Sequence, residues 1–172
     1  ARLIDLVPPE SITVLHGPVK AADAAYAKAI GIRPTINSLD QARRWLAVGG
    51  GACDLMIDTG INRIGIGMFE LGDPLISQLK IDVLMSHLAS SEEDSPLNAL
   101  QRLRWNEACQ TLAHRRSSLA NSAGILLGPG YHGDLTRPGL SLYGGVPCAA
   151  LADMIEPVVT PQAAIIQVRM VQ

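Results

Sequence analysis

SLANSAGILLGPGYHGDLTRPGLSLYGG, residues 118–145, is the stretch of the chain from which both the fold and the candidate site follow. Two short apolar runs in it, 118–120 and 140–143, each lie beside small and polar residues, NSAG at 121–124 and RPG at 137–139. Where such a loop opens a helix, unpaired backbone N–H groups attract an anion, and glycine lets a phosphate approach the backbone. The two clusters of small and polar residues together predict a site for a phosphorylated ligand. Two tight turns in a loop-rich region are the alternative.

The composition is typical of a globular domain with a single core. Of the 172 residues 48% are hydrophobic and 17% charged, and the net charge of -2 comes without a long basic run. This balance argues against nucleic acid and an anionic membrane surface as partners. No stretch approaches the roughly 20 apolar residues of a membrane span and no signal-like segment opens the chain, so we expect a cytoplasmic protein. Three widely spaced cysteines indicate reduced thiols, with no disulfide framework and no metal site.

Apolar runs of β type alternate with helical runs along the chain, joined by short polar or glycine-containing links. Six alternations predict a parallel α/β architecture. A doubly wound sheet is the alternative, but no GxGxxG motif follows the first strand. The predicted strands are 12–15, 34–36, 55–57, 81–85, 118–120 and 134–136. The predicted helices are 21–30, 39–48, 74–79, 123–127 and a long one with the apolar stripe Leu97, Leu100, Leu103, Trp105, Ala108 and Leu112.

Polar residues follow most of the predicted strands. The carboxyl ends of parallel strands meet at one face, where barrels and open sheets keep their active sites. Each residue alone has an ordinary explanation, because such a histidine is usually a supporting group, an arginine a surface ion pair and Asn-Ser a helix cap. Five corresponding positions together favour a barrel with a site at this face. The positions are Asn37, Arg63, His87, Asn121-Ser122 and Arg137.

Four motifs resemble the signatures of bacterial alanine racemase, a family of fold type III that uses pyridoxal 5'-phosphate (PLP). Their order and similar spacing hold across nearly the whole chain. The resemblance implies an isomerase that converts L-alanine to D-alanine and so supplies D-alanine for bacterial cell-wall peptidoglycan. The motifs are DTGINRIG at 58–65, SHLA at 86–89, LANSAG at 119–124 and RPGLSLYG at 137–144.

The resemblance also implies the wider architecture. In the family a TIM-like (β/α)8 barrel is followed by a β-rich domain, and the intact enzyme is a homodimer. About six β/α units are present here, so we expect an internal portion of such an enzyme. On this view residues 1–150 are part of the PLP-binding barrel domain, and residues 151–172 are a linker and the start of the C-terminal domain, whose first strand is 161–171.

By the same resemblance, Arg137 lies beside the pyridine nitrogen of PLP. An arginine is always protonated and has no acceptor, so it keeps that nitrogen unprotonated. His87 is expected behind Arg137, holding its guanidinium, and Arg63 is expected to donate to the phenolic oxygen and to the substrate carboxylate. The implied catalytic residues are Arg63, His87 and Arg137. The implied cofactor-binding residues are Asn121 and Arg137 near the ring and Ser122, Gly139 and Leu140 at the phosphate.

Three departures from the family pattern bear on activity. The lysine that carries the cofactor and the tyrosine that acts as second base have no match here, because Lys20, Tyr131 and Tyr143 stand in other contexts. We therefore expect the 172-residue chain alone to be inactive. The lysine that precedes the family's arginine by seven residues is replaced by Met56. The alternatives are a non-catalytic barrel fragment or paralogue that binds PLP or another phosphorylated ligand, and a racemase of another small amino acid such as serine.

Overall fold

Parallel strands backed by helices form the protein, in a computed structural model that describes residues 2–170. The strands are β1 Thr13–Val14, β2 Arg33–Ile36, β3 Ala52–Asp58, β4 Ile66–Gly67, β5 Lys80–Met85 and β6 Arg116–Ser118. The α-helices are α1 Ala21–Ile30, α2 Leu39–Ala47, α3 Pro74–Ser77 and α4 Pro96–Thr111.

The order of the strands in the sheet decides between a barrel and a doubly wound sheet. The order is β1-β2-β3-β5-β6, with the short β4 beside the end of β3, and all these pairs are parallel. A doubly wound sheet reverses its order at a switch point, whereas a barrel continues in one direction. The described strands therefore form part of a (β/α) barrel, as predicted, and the doubly wound alternative is wrong.

The helix ends follow the local sequence. Gly31, in the left-handed conformation with φ 75°, ends α1, as glycine does after many helices. The Ser38 hydroxyl accepts the Gln41 N–H at 3.2 Å and so begins α2. The predictions for these two helices are confirmed, while the segment predicted as a helix at 123–127 is a 3-10 helix, Gly124–Leu127.

Alternate residues of the strands face the helices and form the main core. Leu55, Ile57 and Leu84 are fully buried, and they pack in one cluster with Ala24 of α1 and Trp45 of α2. Because both faces of a parallel barrel strand are covered, these strands read as nearly continuous apolar runs. That is why their positions were visible in the sequence.

The other face of the sheet carries a layer of charged residues toward the amino ends of the strands. Asp54 of β3 accepts from Thr13 of β1 at 2.6 Å, and Arg33 of β2 lies 3.3 Å from it. Arg33 also reaches Asp82 of β5 at 3.1 Å, and Arg116 of β6 reaches Asp82 at 2.5 Å. Burial raises the pKa of Asp54, while Thr13 and Arg33 oppose that rise. Ion pairs thus connect β2, β3, β5 and β6 on their inner face.

The orientation of α4 differs from the prediction. Its buried residues are Asn98, Gln101, Trp105 and Ala108, whereas Leu100 and Leu103 are exposed, so the predicted apolar stripe is wrong in part. The helix packs over the loops that follow β3 and β5, and the backbone groups of those loops need polar partners. Polar side chains therefore face inward from this helix, which a purely apolar pattern cannot reveal.

Three strand predictions are corrected as well. The strand predicted at 118–120 is β6, two residues earlier. The segment 134–136 is no strand, although the N–H groups of Asp134 and Leu135 both donate to the Ser117 carbonyl. Residues 161–170 have no regular structure and are exposed, and Val171 lies outside the described residues. A strand needs a partner for its backbone groups, and none lies beside this segment in the described part of the chain. The domain division at residue 150 stays a prediction.

Two further observations concern the helices and the thiols. Over residues 2–170, no helix has the length and apolar character needed to cross a membrane. All three cysteines are unpaired, as predicted, and burial raises the pKa of Cys53 to about 12 and that of Cys109 to about 11.

A matched pair of leucines tests this packing. We expect Leu84→Ala to lower the free energy of unfolding by about 2–5 kcal/mol, because Leu84 is 0% exposed in β5, which has a paired strand on each side. Leu103→Ala should change it by less than about 0.5 kcal/mol, because that side chain is 63% exposed. Urea unfolding of both variants measures the difference. Equal losses for the two would contradict the described orientation of α4.

Candidate active site

A pocket of about 520 Å³ lies at the carboxyl ends of β3, β5 and β6, a size that suits a small cofactor. Its walls come from the loops that follow these strands. The structure thus brings together every residue that the sequence assigned to the site, and Asn37 alone among the polar positions lies elsewhere. The assigned residues in the walls are Arg63, His87, Asn121, Ser122, Arg137, Gly139 and Leu140.

Asn37 instead supports the backbone of a neighbouring loop. Its side-chain amide donates to the Leu15 carbonyl at 3.0 Å, and its N–H donates to the Gln41 side chain at 2.8 Å. The residue is buried and fixes the link between β2 and α2. This is the ordinary role of an asparagine after a strand.

The loop after β3 is shaped by its first residue and presents Arg63. One oxygen of Asp58 accepts the N–H groups of Gly60 and Asn62, at 2.9 and 3.1 Å. Gly65 has φ 131°, and a Cβ there would lie 2.7 Å from the Asp58 nitrogen, so only glycine fits. Within residues 2–170 the exposed Arg63 side chain makes no hydrogen bond or ion pair, which leaves its guanidinium available to a ligand.

Met56 lies in the pocket wall near this loop, where the family pattern has a lysine. The side chain is buried and apolar, so it offers no charge or acceptor that could orient the guanidinium of Arg63. The placement of Arg63 therefore depends on the backbone of its loop and on the ligand.

Arg137 is the half-buried cation of the pocket. The guanidinium of Arg137 donates to the Ser118 hydroxyl and to the Ser86 carbonyl. The backbone N–H of Arg137 donates to the Ala120 carbonyl at 2.9 Å. Burial lowers the pKa of Arg137 to about 10, and attraction to Asp54 opposes that shift. The side chain therefore keeps its charge at neutral pH, and three of its five N–H donors remain for other partners.

His87 lies in the same wall as a neutral imidazole. Burial lowers its pKa to about 4, helped by the positive charges of Arg137 and Arg63 and opposed by Glu92. The resemblance implied that His87 holds the guanidinium of Arg137. In the described part of the chain, that guanidinium donates its hydrogen bonds to the Ser86 carbonyl and the Ser118 hydroxyl, so the support seen here is different.

The two glycine-containing loops meet at one corner of the pocket. Ser122 is buried, and its hydroxyl accepts the Ser141 N–H at 3.3 Å, which joins the loop after β6 to the loop after Arg137. The Ser141 hydroxyl is buried and has no hydrogen-bond partner. The N–H groups of Gly139 and Leu140 likewise have no acceptor among residues 2–170. Several donors thus lie together without an acceptor, as in a site for an anion.

Asn121 organises the first of these loops. Its side-chain oxygen accepts from the Ser91 hydroxyl at 2.7 Å and from the Gly124 N–H at 2.9 Å. A Cβ on Gly124 would lie 2.8 Å from Leu88, so this turn needs glycine because of close packing. The packing of this turn therefore requires the small residues of the NSAG motif, whether or not they contact a ligand.

Sequence patterns did not identify several residues that hold the side chains of the pocket in place. The Ser86 carbonyl and Ser118 hydroxyl hold Arg137, and Ser91 holds Asn121. Ser86 stands beside His87 in a quoted motif, which was a usable signal. No pattern distinguishes Ser118 or Ser91 from other serines, because their roles depend on contacts between distant segments.

These features define a class: part of a (β/α) barrel with a cationic, donor-rich pocket at the carboxyl ends of its strands. The comparison with known proteins is more specific. The chain belongs to the family "Alanine racemase, N-terminal domain", whose model matches residues 2–147.

Relatives and solved structures agree with this family. The chain is 38% identical to the alanine racemase of Rhodospirillum rubrum over 97% of its own length and 48% of the relative. It is also similar to the crystal structure of alanine racemase from Bartonella henselae with covalently bound pyridoxal phosphate, with a TM-score of 0.74 and 28% identity over 85% of this chain and 46% of that one. The biosynthetic enzyme from Pseudomonas aeruginosa gives a TM-score of 0.69 at 30% identity, over 85% of this chain and 44% of that one. The chain spans about half the length of the curated relatives that it matches.

The electrostatics of the pocket give a prediction for His87. We expect an NMR titration of its imidazole to show a midpoint well below 6.5, near pH 4, so the ring is neutral at pH 7. Arg137→Met should raise that midpoint, because one of the two nearby positive charges is removed. His87→Gln identifies the resonance. A midpoint at or above 6.5 would contradict the burial and charge described for this residue.

Proposed function

We propose that the full-length protein containing this chain is a PLP-dependent alanine racemase, which interconverts L-alanine and D-alanine. The observation that carries the proposal is the meeting of Arg63, Arg137 and the Ser122–Gly139 corner in one pocket of a chain that belongs to this family. We further propose that the protein is a cytoplasmic homodimer and that its D-alanine serves cell-wall peptidoglycan. A relative named a biosynthetic alanine racemase, 38% identical over 79% of this chain and 37% of its own length, supports that role.

The residues of the pocket fit PLP. A phosphate needs several donors without acceptors, and the buried, unpartnered hydroxyl of Ser141 lies at the corner where Ser122 meets the free N–H groups of Gly139 and Leu140. A Cβ on Gly139 would meet no atom within 4 Å, so open space lies over this backbone. Ser122, Gly139 and Leu140 would hold the phosphate, with Asn121 and Arg137 nearer the ring. Bound PLP withdraws electrons from the substrate's α-carbon and makes its proton removable.

Arg137 sets the electronic character of the site. Its guanidinium is fixed by two buried acceptors and keeps its charge, so it offers only donors toward the pocket. A pyridine nitrogen next to it must be an acceptor and therefore unprotonated. Arg137 would therefore hold a bound PLP ring with its nitrogen unprotonated, a state that would favour return of the proton to the α-carbon over transamination.

Arg63 and His87 complete the proposed pocket. The guanidinium of Arg63 is free among the described residues and suits a carboxylate, which it can bind with two parallel hydrogen bonds. His87 is uncharged at neutral pH and adds no positive charge beside Arg137, so the cations of the pocket are Arg137, for the ring, and Arg63, for the substrate carboxylate. Racemisation also needs acid/base groups on both faces of the α-carbon. We assign these to the family's lysine and tyrosine, elsewhere in the full-length protein.

Proton exchange at the α-carbon tests the proposed activity. In heavy water with added PLP, we expect the full-length protein to convert L-alanine into an equal mixture of enantiomers, with deuterium at the α-carbon. L-Serine run in parallel distinguishes a racemase of another small amino acid. Exchange no faster than with free PLP would mean a non-catalytic PLP-binding protein, and the proposal would be wrong.

The role of Arg137 is tested by the partition of products. We expect Arg137→Glu to slow racemisation and to raise the ratio of pyruvate to D-alanine, because a carboxylic acid beside the nitrogen can share or supply a proton. The ratio does not depend on how much of the variant is folded. Arg169→Glu, at an exposed position outside the sheet, is the matched control and should leave the ratio unchanged. An unchanged ratio in Arg137→Glu would show that Arg137 does not face the ring.

A further inference from the structure

Gln101 is a fully buried polar side chain of α4, and the mechanism above does not use it. Its amide nitrogen donates to the Thr59 hydroxyl at 3.1 Å and to the His87 carbonyl at 2.9 Å. Its oxygen accepts the Ala89 N–H at 2.9 Å. Both N–H donors and one acceptor site are therefore used, on two different loops. A buried amide with this many partners is held in one orientation.

The hydrogen-bond partners of Gln101 are linked in turn to the groups that hold Arg137 and shape the loop of Arg63. The Thr59 hydroxyl is hydrogen-bonded to the Ser86 hydroxyl at 2.7 Å, and both residues are fully buried. The backbone carbonyl of Ser86 accepts from the guanidinium of Arg137. Thr59 also follows Asp58, whose carboxylate shapes the loop that presents Arg63. One side chain of a helix is thus connected with the loops that carry each cation.

We propose that Gln101 is a positioning residue that sets the placement of Arg63 relative to Arg137, through Thr59 and Ser86; the inference rests on the proposed function. The loops after β3 and β5 lie on adjacent strands, and strand pairing ends before they begin. Within residues 2–170, the side-chain bonds that join these two loops are the Thr59–Ser86 pair and the bonds of Gln101. Loss of the Gln101 amide leaves the partly buried His87 carbonyl and Ala89 N–H without these partners, and the loops must move to satisfy them.

Kinetics of the full-length protein with PLP provide the first test. We expect Gln101→Met, which keeps the length of the side chain, to lower kcat/KM for L-alanine about 10²-fold, as a displacement of roughly 1 Å does. KM should rise because Arg63 moves, and the ratio of pyruvate to D-alanine should rise because Arg137 moves. Gln110→Met is the matched control, since Gln110 is exposed on the same helix. All three quantities should stay unchanged in Gln110→Met.

Two further variants keep the test decisive if Gln101→Met folds poorly. Gln101→Glu keeps the acceptor for the Ala89 N–H but cannot donate to Thr59 or His87 when ionised, so KM and the product ratio should still rise. Thr59→Val keeps the shape of that side chain and removes its hydroxyl, and it should reproduce the same changes. A merely structural role would lower the melting temperature and leave KM and the product ratio of the folded enzyme unchanged. That result would overturn the proposal.

Amide hydrogen exchange of the PLP-free full-length protein separates this inference from the proposed function. We expect Gln101→Met to speed exchange in the loops 59–63 and 86–89 together, whereas Gln101→Glu should retain protection of the Ala89 N–H. If wild-type protein fails to racemise alanine but shows this exchange pattern, the proposed function is wrong and the positioning role stands. Unchanged exchange in both loops of Gln101→Met would overturn the positioning role, whatever the activity.

Discussion

The burial of one guanidinium is the constraint on which the site depends. Arg137 comes from a loop but reaches below the strand ends, where the Ser86 carbonyl and the Ser118 hydroxyl accept its N–H groups. A charge taken largely out of water is tolerated only when it is hydrogen-bonded or paired, so the ends of β5 and β6 must lie close enough to supply both acceptors. Asp54, in the charged layer farther down the same face, adds a weaker attraction. The cation is thereby fixed before any ligand binds.

The two cations of the pocket are held in contrasting ways. Arg137 is rigidly supported and keeps its charge despite a lowered pKa, which suits a group that must act on a ring in one orientation. Arg63 is exposed and stands on a loop that Asp58 shapes, with an apolar Met56 below it. Such an arginine can adjust to a ligand, and part of its ordering then occurs on binding. The pocket therefore combines one preorganised cation with one adaptable cation.

Much of the fold and most of the site residues could be predicted from the sequence, for a physical reason. Parallel strands covered on both faces are apolar runs, and residues that follow such runs must meet at one edge. Arg63, His87, Ser122 and Arg137 accordingly share a pocket. The supports could not be predicted in the same way. Gln101 lies on a helix face where the pattern of leucines indicated a different orientation. Its partners, the Thr59 hydroxyl and two backbone groups, are 12 or more residues away.

The central claim is that the Ser122–Gly139 corner holds a phosphate while Arg137 faces the ring of the same molecule. A crystal structure of the full-length protein grown with PLP measures this most directly. We predict phosphate density in contact with the Ser122 hydroxyl and the N–H groups of Gly139 and Leu140, and a guanidinium nitrogen of Arg137 within about 3 Å of the pyridine nitrogen. Phosphate density elsewhere, for example beside the glycines at 49–51, or an Arg137 side chain turned away from the ring, would contradict the account.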